Sequence, residues 1–135
     1  MTISLPGDVF VEATEAIRTG DADGWLARCH DDVVLEFPYA PAGRPQRVEG
    51  KAAAGEYLRA VPAQISFERV TNLVVHQTVD PNTAIIEWSA TGRVKATGAA
   101  YEMSYVVVLT VVDGKIAHYR DYWNPLTVLD AIEMP

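Results

Sequence analysis

Apolar residues recur with two different periods along this chain, and the change falls near Pro62. Val9, Phe10, Ala13, Ala16 and Ile17 make one stripe of a helix, and Gly20 follows as the residue that commonly sits just past a helix end. Asp21 is placed to cap a short second helix with Trp25, Leu26 and Cys29 on its apolar side. His30-Asp31-Asp32 then breaks the pattern before a short strand, Val33 to Phe37. Residues 38–50 carry Pro38, Pro41, Gly43, Pro45 and Gly50, which predicts a loop. A third helix is expected from Lys51 to Ala60, with Ala53, Ala54, Tyr57, Leu58 and Val61 on its apolar side and Pro62 ending it.

From Ile65 to Trp123 the period becomes two, in a stretch rich in Val, Ile, Thr and aromatics. Turn signals at Asp80-Pro81-Asn82, Thr97-Gly98 and Asp113-Gly114 divide it into four antiparallel strands, 65–79, 83–96, 99–112 and 115–123. Three helices before a run of hairpins predict an α+β fold: a curved antiparallel sheet, packed on the helices, that encloses a cone-shaped pocket. With 135 residues and no internal repeat or linker, the whole chain 1–135 reads as one domain.

Composition narrows the partners. A net charge of -7 repels phosphate backbones and anionic lipid, so neither nucleic acid nor a membrane surface is expected. The single Cys29 excludes an internal disulfide and a cysteine-rich zinc site, which suits a reducing compartment. The start, Met1-Thr2-Ile3-Ser4-Leu5-Pro6, has no basic or apolar leader, and no stretch approaches the roughly 18 apolar residues of a membrane span, so a cytoplasmic protein is expected.

The order of elements, with "LEFPYAPAGRPQRVEG" in the first strand and loop and "DGKIAHYRDYWNPL" at the end of the meander, resembles the SnoaL-like, ketosteroid-isomerase-like branch of the nuclear transport factor 2 superfamily. Among its branches the phenazine-biosynthesis A/B-type proteins are the most similar. The resemblance implies a cone-shaped α+β barrel and a pocket in which the acid of "RDYW", here Asp121, transfers protons or holds substrate. It also implies a homodimer through the outer sheet face, which here would present Glu87, Arg93, Lys95, Glu102, Ser104, His118 and Arg120.

Other catalytic sets of that superfamily do not carry over. Against limonene-epoxide hydrolase, Trp88 falls where its arginine would be and Ala90 where its second aspartate would be, while Phe37 and Tyr39 replace its water-positioning pair. Against ketosteroid isomerase, Phe37 replaces the general base, and the oxyanion tyrosine falls near Ala13. Epoxide hydrolysis therefore ranks last among the readings.

Alternation sends Tyr119, Asp121 and Trp123 to one face of the last strand, and a one-residue bulge at Gly114 would align Asp121 with Met103, Tyr105 and Val107 on the strand before. An acid in such an apolar wall loses hydration, which raises its pKa toward the range useful for proton transfer. The expected catalytic set is Asp121 with Tyr39 and Tyr105 as hydrogen-bond donors to a carbonyl. The expected lining is Phe37, Tyr57, Trp88, Met103, Tyr119, Trp123 and Trp25, each of which also suits a plain core.

His30, His76 and His118 have no metal-ligand spacing, and no phosphate-binding glycine loop or nucleophile motif occurs, so neither a metal nor a cofactor is expected. His76 enters the pocket only if its face of strand 65–79 turns inward. Arg44 and Arg47, at the expected mouth, read first as solvated loop charges and second as partners of a ligand carboxylate. The tail from Leu126 to Ile132 is apolar enough to cover either the pocket or a partner.

Together these residues predict a cofactor-independent isomerase, cyclase or dehydratase acting on a small, largely apolar or aromatic carbonyl-bearing metabolite. The alternative is a non-catalytic protein that binds a small molecule or scaffolds a pathway.

Overall fold

A computed structural model describes residues 5–127. Helices α1 (Pro6–Arg18) and α2 (Ala22–Ala27) lead into strands β1 (Cys29–Glu36) and β2 (Arg47–Glu49). Helix α3 (Lys51–Gln64) follows, then strands β3 (Ile65–Gln77), β4 (Thr83–Val94), β5 (Ala100–Val112) and β6 (Lys115–Trp123). The six strands form one sheet in the order β2-β1-β6-β5-β4-β3. The α+β architecture expected from the sequence is the one observed.

Local chemistry explains the helix ends. Pro6 opens α1, where its missing N–H costs nothing. The Asp21 side chain accepts from the Gly24 N–H at 2.9 Å and caps α2. Pro62 does not end α3 as expected; the helix runs through it to Gln64. A proline φ is helical already, and in the last turn the loss is one backbone bond rather than an interrupted ladder. The end is instead fastened from outside, where the Lys95 N–H donates to the Gln64 carbonyl at 2.8 Å.

The sheet is mixed, which corrects the wholly antiparallel expectation. Strand β1 begins four residues earlier than its apolar run and pairs parallel to β6, with Cys29 opposite Ile116 and Leu35 opposite Tyr119. A register shift between Cys29 and Val34 absorbs the polar His30-Asp31-Asp32. Strand β2, inside the segment expected to be loop, is held antiparallel to β1 with Leu35 opposite Val48.

Inward-facing residues divide along the cone. At one end Ile86, Val107, Leu109, Ile116 and Val33 pack with Phe10 of α1 into a closed apolar core. At the other end the inward residues become aromatic and the packing opens into a cavity. The outer face carries the polar set expected there: Glu87, Arg93, Lys95, Glu102 and Ser104 are exposed, His118 and Arg120 half-buried.

Candidate active site

The position of Asp121 follows from strand register. The Asp113-Gly114 turn has positive φ at both residues, 53° and 75°, as a two-residue type I′ hairpin requires. Val112 pairs with Lys115 and Val111 with Ile116, but Thr110 then pairs with His118. The extra residue is Ala117, so the bulge lies inside β6 and not at Gly114 as expected. Its effect on parity is the one expected, since Tyr105 faces Trp123, Val107 faces Asp121 and Leu109 faces Tyr119.

Asp121 is thereby buried at the cavity wall, 7 % exposed. Its Oδ1 has no hydrogen-bond partner among the described residues. Burial alone pushes its carboxyl well above the usual aspartate range. Removing hydration from a carboxylate favours the protonated form.

The cavity holds about 170 Å³. Nine of the ten residues expected at the site line it: Asp121, Tyr105, Phe37, Tyr57, Trp88, Met103, Tyr119, Trp123 and Trp25. Their rings lock one another in place. Trp88 stacks on Tyr105 at 4.2 Å, Phe37 stacks on Tyr57 at 4.6 Å, and Trp25 meets Tyr119 edge-on at 5.2 Å. The Trp88 Nε1, like Asp121 Oδ1, is buried without a partner among the described residues.

Tyr39 is the exception and corrects the expectation that it would join Asp121. It lies beyond β1, 59 % exposed, with its ring edge-on to Tyr122 on the face opposite Asp121. The chain leaves the sheet after Phe37 and turns back, with the Ala40 N–H bonded to the Phe37 carbonyl, so alternation stops predicting direction there.

Tyr101 takes a place that the sequence reading left empty. It lines the cavity from β5, and its hydroxyl meets that of Tyr105 at 2.8 Å. Its odd number on β5, shared with Met103 and Tyr105, was the available signal. Burial is the main cause that pushes the Tyr101 hydroxyl up to about 12, and it holds those of Tyr57, Tyr105 and Tyr119 above the usual tyrosine value, with the nearby Asp121 adding to each. All four therefore stay protonated donors at neutral pH. Thr14, Gln64 and Phe67 also line the cavity.

Of the residues left open, Arg44 lines the cavity, whereas Arg47 pairs outside it with Glu36 at 3.6 Å and Glu49 at 3.2 Å. His76 stays out, bonded to Glu87 at 2.7 Å on the exposed face, and His118 meets Glu36. No group of three or more metal-binding side chains occurs among the described residues. The tail expected to cover pocket or partner lies, beyond Thr127, outside the described residues.

A curved sheet closed by helices over an aromatic pocket with a buried acid is the nuclear transport factor 2-like, ketosteroid-isomerase-like architecture. Within it the SnoaL-like domain model matches residues 10–119, and the chain belongs to the SnoaL-like family. It is 44 % identical over 82 % of its length to YesE, an uncharacterised protein of Bacillus subtilis, covering 76 % of that protein. An uncharacterised PhzA/B-like protein of Pseudomonas aeruginosa is 37 % identical over 93 % of this chain and 88 % of its own. A crystal structure from Bacillus subtilis, provisionally assigned as an isomerase, superposes with a TM-score of 0.81 at 40 % identity, over 93 % of this chain and 95 % of that one.

Proposed function

We propose that this protein is a cofactor-independent proton-transfer enzyme of the isomerase or cyclase type, in which Asp121 shuttles a proton on a small carbonyl-bearing metabolite. The observation that carries the reading is a single buried carboxyl, with an oxygen that has no partner among the described residues, in a cavity lined mainly by aromatic and aliphatic side chains, with Arg44 and Gln64 its other charged and amide groups. A structural acid at that depth would be satisfied by hydrogen bonds or an ion pair, and leaving Oδ1 without one costs stability.

In the simplest reaction the Asp121 carboxylate removes a proton from the carbon next to the carbonyl. The C–H bond breaks, an O–H bond forms on Asp121, and the electron pair moves into an enolate whose charge rests on the carbonyl oxygen. Returning that proton at another carbon completes an isomerisation with no net loss. The burial that raises the Asp121 pKa makes its carboxylate a stronger base than an exposed one, and protonated tyrosines are suited to receive the enolate charge.

The test is conversion of cyclohex-3-enone to cyclohex-2-enone, followed by ultraviolet absorbance and by deuterium uptake in heavy water. Asp121→Asn should slow it by about 10²- to 10⁴-fold. Equal rates for wild type and variant, or no conversion above the buffer rate, would count against Asp121 as the shuttle and favour a binding protein without turnover.

A further inference from the structure

Of the two donors expected from the sequence to meet the carbonyl oxygen, Tyr105 lines the cavity and Tyr39 lies on the wrong face. The Tyr101 hydroxyl, 2.8 Å from that of Tyr105 in the cavity wall, offers a replacement for Tyr39. Proton counting decides what they present. Two hydroxyls carry two protons, and the bond between them uses one. Neither oxygen has a further hydrogen-bond partner among the described residues, so the second proton is left for the cavity. A hydroxyl that accepts a bond while donating another is polarised by it, and the effect is stronger at low local dielectric.

The pair is also fixed in place. Tyr105 is stacked flat against Trp88, and Tyr101 meets Phe67 edge-on at 6.0 Å. Neighbours on one strand at i and i+4 keep their spacing, because both side chains leave the same face of β5. The donor is therefore preorganised, which is the condition for stabilising charge that appears only during reaction.

Volume sets the second constraint. The cavity of about 170 Å³ compares with the ~150 Å³ void known to hold one benzene, and lies below the ~300 Å³ at which pockets for drug-sized ligands begin. Ring contacts between Trp88 and Tyr105 and between Phe37 and Tyr57 form part of its wall. We propose that the Tyr101–Tyr105 hydroxyl pair anchors the carbonyl oxygen of a single-ring ketone or enone, and that the cavity excludes multi-ring substrates. The proposal rests on the reading of this cavity as the ligand site, and it is independent of whether Asp121 turns the ligand over.

Quenching of the cavity tryptophans measures binding of three probes: cyclohex-2-enone, cyclohexene as the same ring without the oxygen, and androst-4-ene-3,17-dione as the same enone in a four-ring frame. Wild type should bind the enone about tenfold more tightly than cyclohexene, the worth of one buried hydrogen bond, and should not bind the steroid. Tyr101→Phe and Tyr105→Phe should each erase the enone preference and leave cyclohexene affinity within about twofold, which also shows that each variant is folded. Equal affinity for enone and cyclohexene in wild type, or an equal loss for both probes in the variants, overturns the anchor. Steroid binding as tight as that of the enone overturns the size limit. An intact anchor with no cyclohex-3-enone conversion would sink the shuttle alone.

Discussion

Asp121 stands directly opposite Val107 in the β5–β6 ladder, so a carboxyl occupies a place where its cross-strand neighbour offers only methyl groups. Its flanking residues on the same face, Tyr119 and Trp123, carry no positive charge to set against it. This arrangement makes ionisation of Asp121 a load on the fold.

The sign of that load is testable. An acid whose folded pKa lies above its unfolded one keeps its proton longer when folded. Its stabilising contribution is whole below about pH 3.9, the ordinary aspartate value, and is lost as pH rises toward the folded pKa. Asp121→Asn does not titrate, so its melting temperature should gain on wild type as pH rises above about 4, with a limiting slope of about 1.4 kcal/mol per pH unit. Thermal melts between about pH 3.5 and 8 would show this; parallel curves for the two proteins would mean that Asp121 titrates as if exposed.

Cys29 makes a kinetic prediction. Its thiol is fully buried, and burial pushes it up to about 12, against a small opposing pull from Lys51 and Lys115. The thiolate is the reactive form, so the native protein should leave a disulfide reagent such as dithionitrobenzoate unconsumed at about pH 8. Unfolding in guanidinium should release one thiol per chain. Rapid native reaction would show that α2 opens on that timescale.

Gly92 predicts a stability cost with an internal control. A Cβ there would stand 2.1 Å from the Ser66 carbonyl oxygen, a backbone atom that cannot step aside. At Gly55 in α3 the nearest atoms, at 3.0 Å, are the ends of the Arg59 and Leu26 side chains, which can. Gly92→Ala should therefore lose roughly 2–4 kcal/mol in urea unfolding, while Gly55→Ala stays within about 1 kcal/mol of wild type. Similar midpoints for the two variants would refute the close approach of β3 to β4.

How far the chain could be read in advance depended on what each signal encodes. Alternation and turn residues report one strand's faces and its immediate neighbour, so the three hairpins and the lining residues of β4, β5 and β6 were legible, Trp88 and Asp121 among them. Parallel pairing of β1 with β6 joins residues 84 to 87 positions apart and leaves no local trace, which is why His30-Asp31-Asp32 reads as a break. The bulge at Ala117 replaced one expected at Gly114 because either position restores the same parity, and parity is all that the pattern constrains. Tyr39 misled for the opposite reason: its aromatic character invited a pocket role, but it follows Pro38, where the strand has already ended and no alternation applies. Tyr101 has the right parity, but nothing in the sequence reveals which hydroxyls meet.

The parallel ladder between β1 and β6 also bears on how the molecule comes into being. Leu35 finds Tyr119 and Cys29 finds Ile116 only after the meander between them exists, so the middle of the sheet closes last in the order of synthesis. High sequence separation between contacting strands slows folding. On the ribosome the helices and β1 emerge without the strand that covers them, and a nascent chain stopped before Lys115 exposes Val33, Leu35 and Phe10 to whatever is nearby.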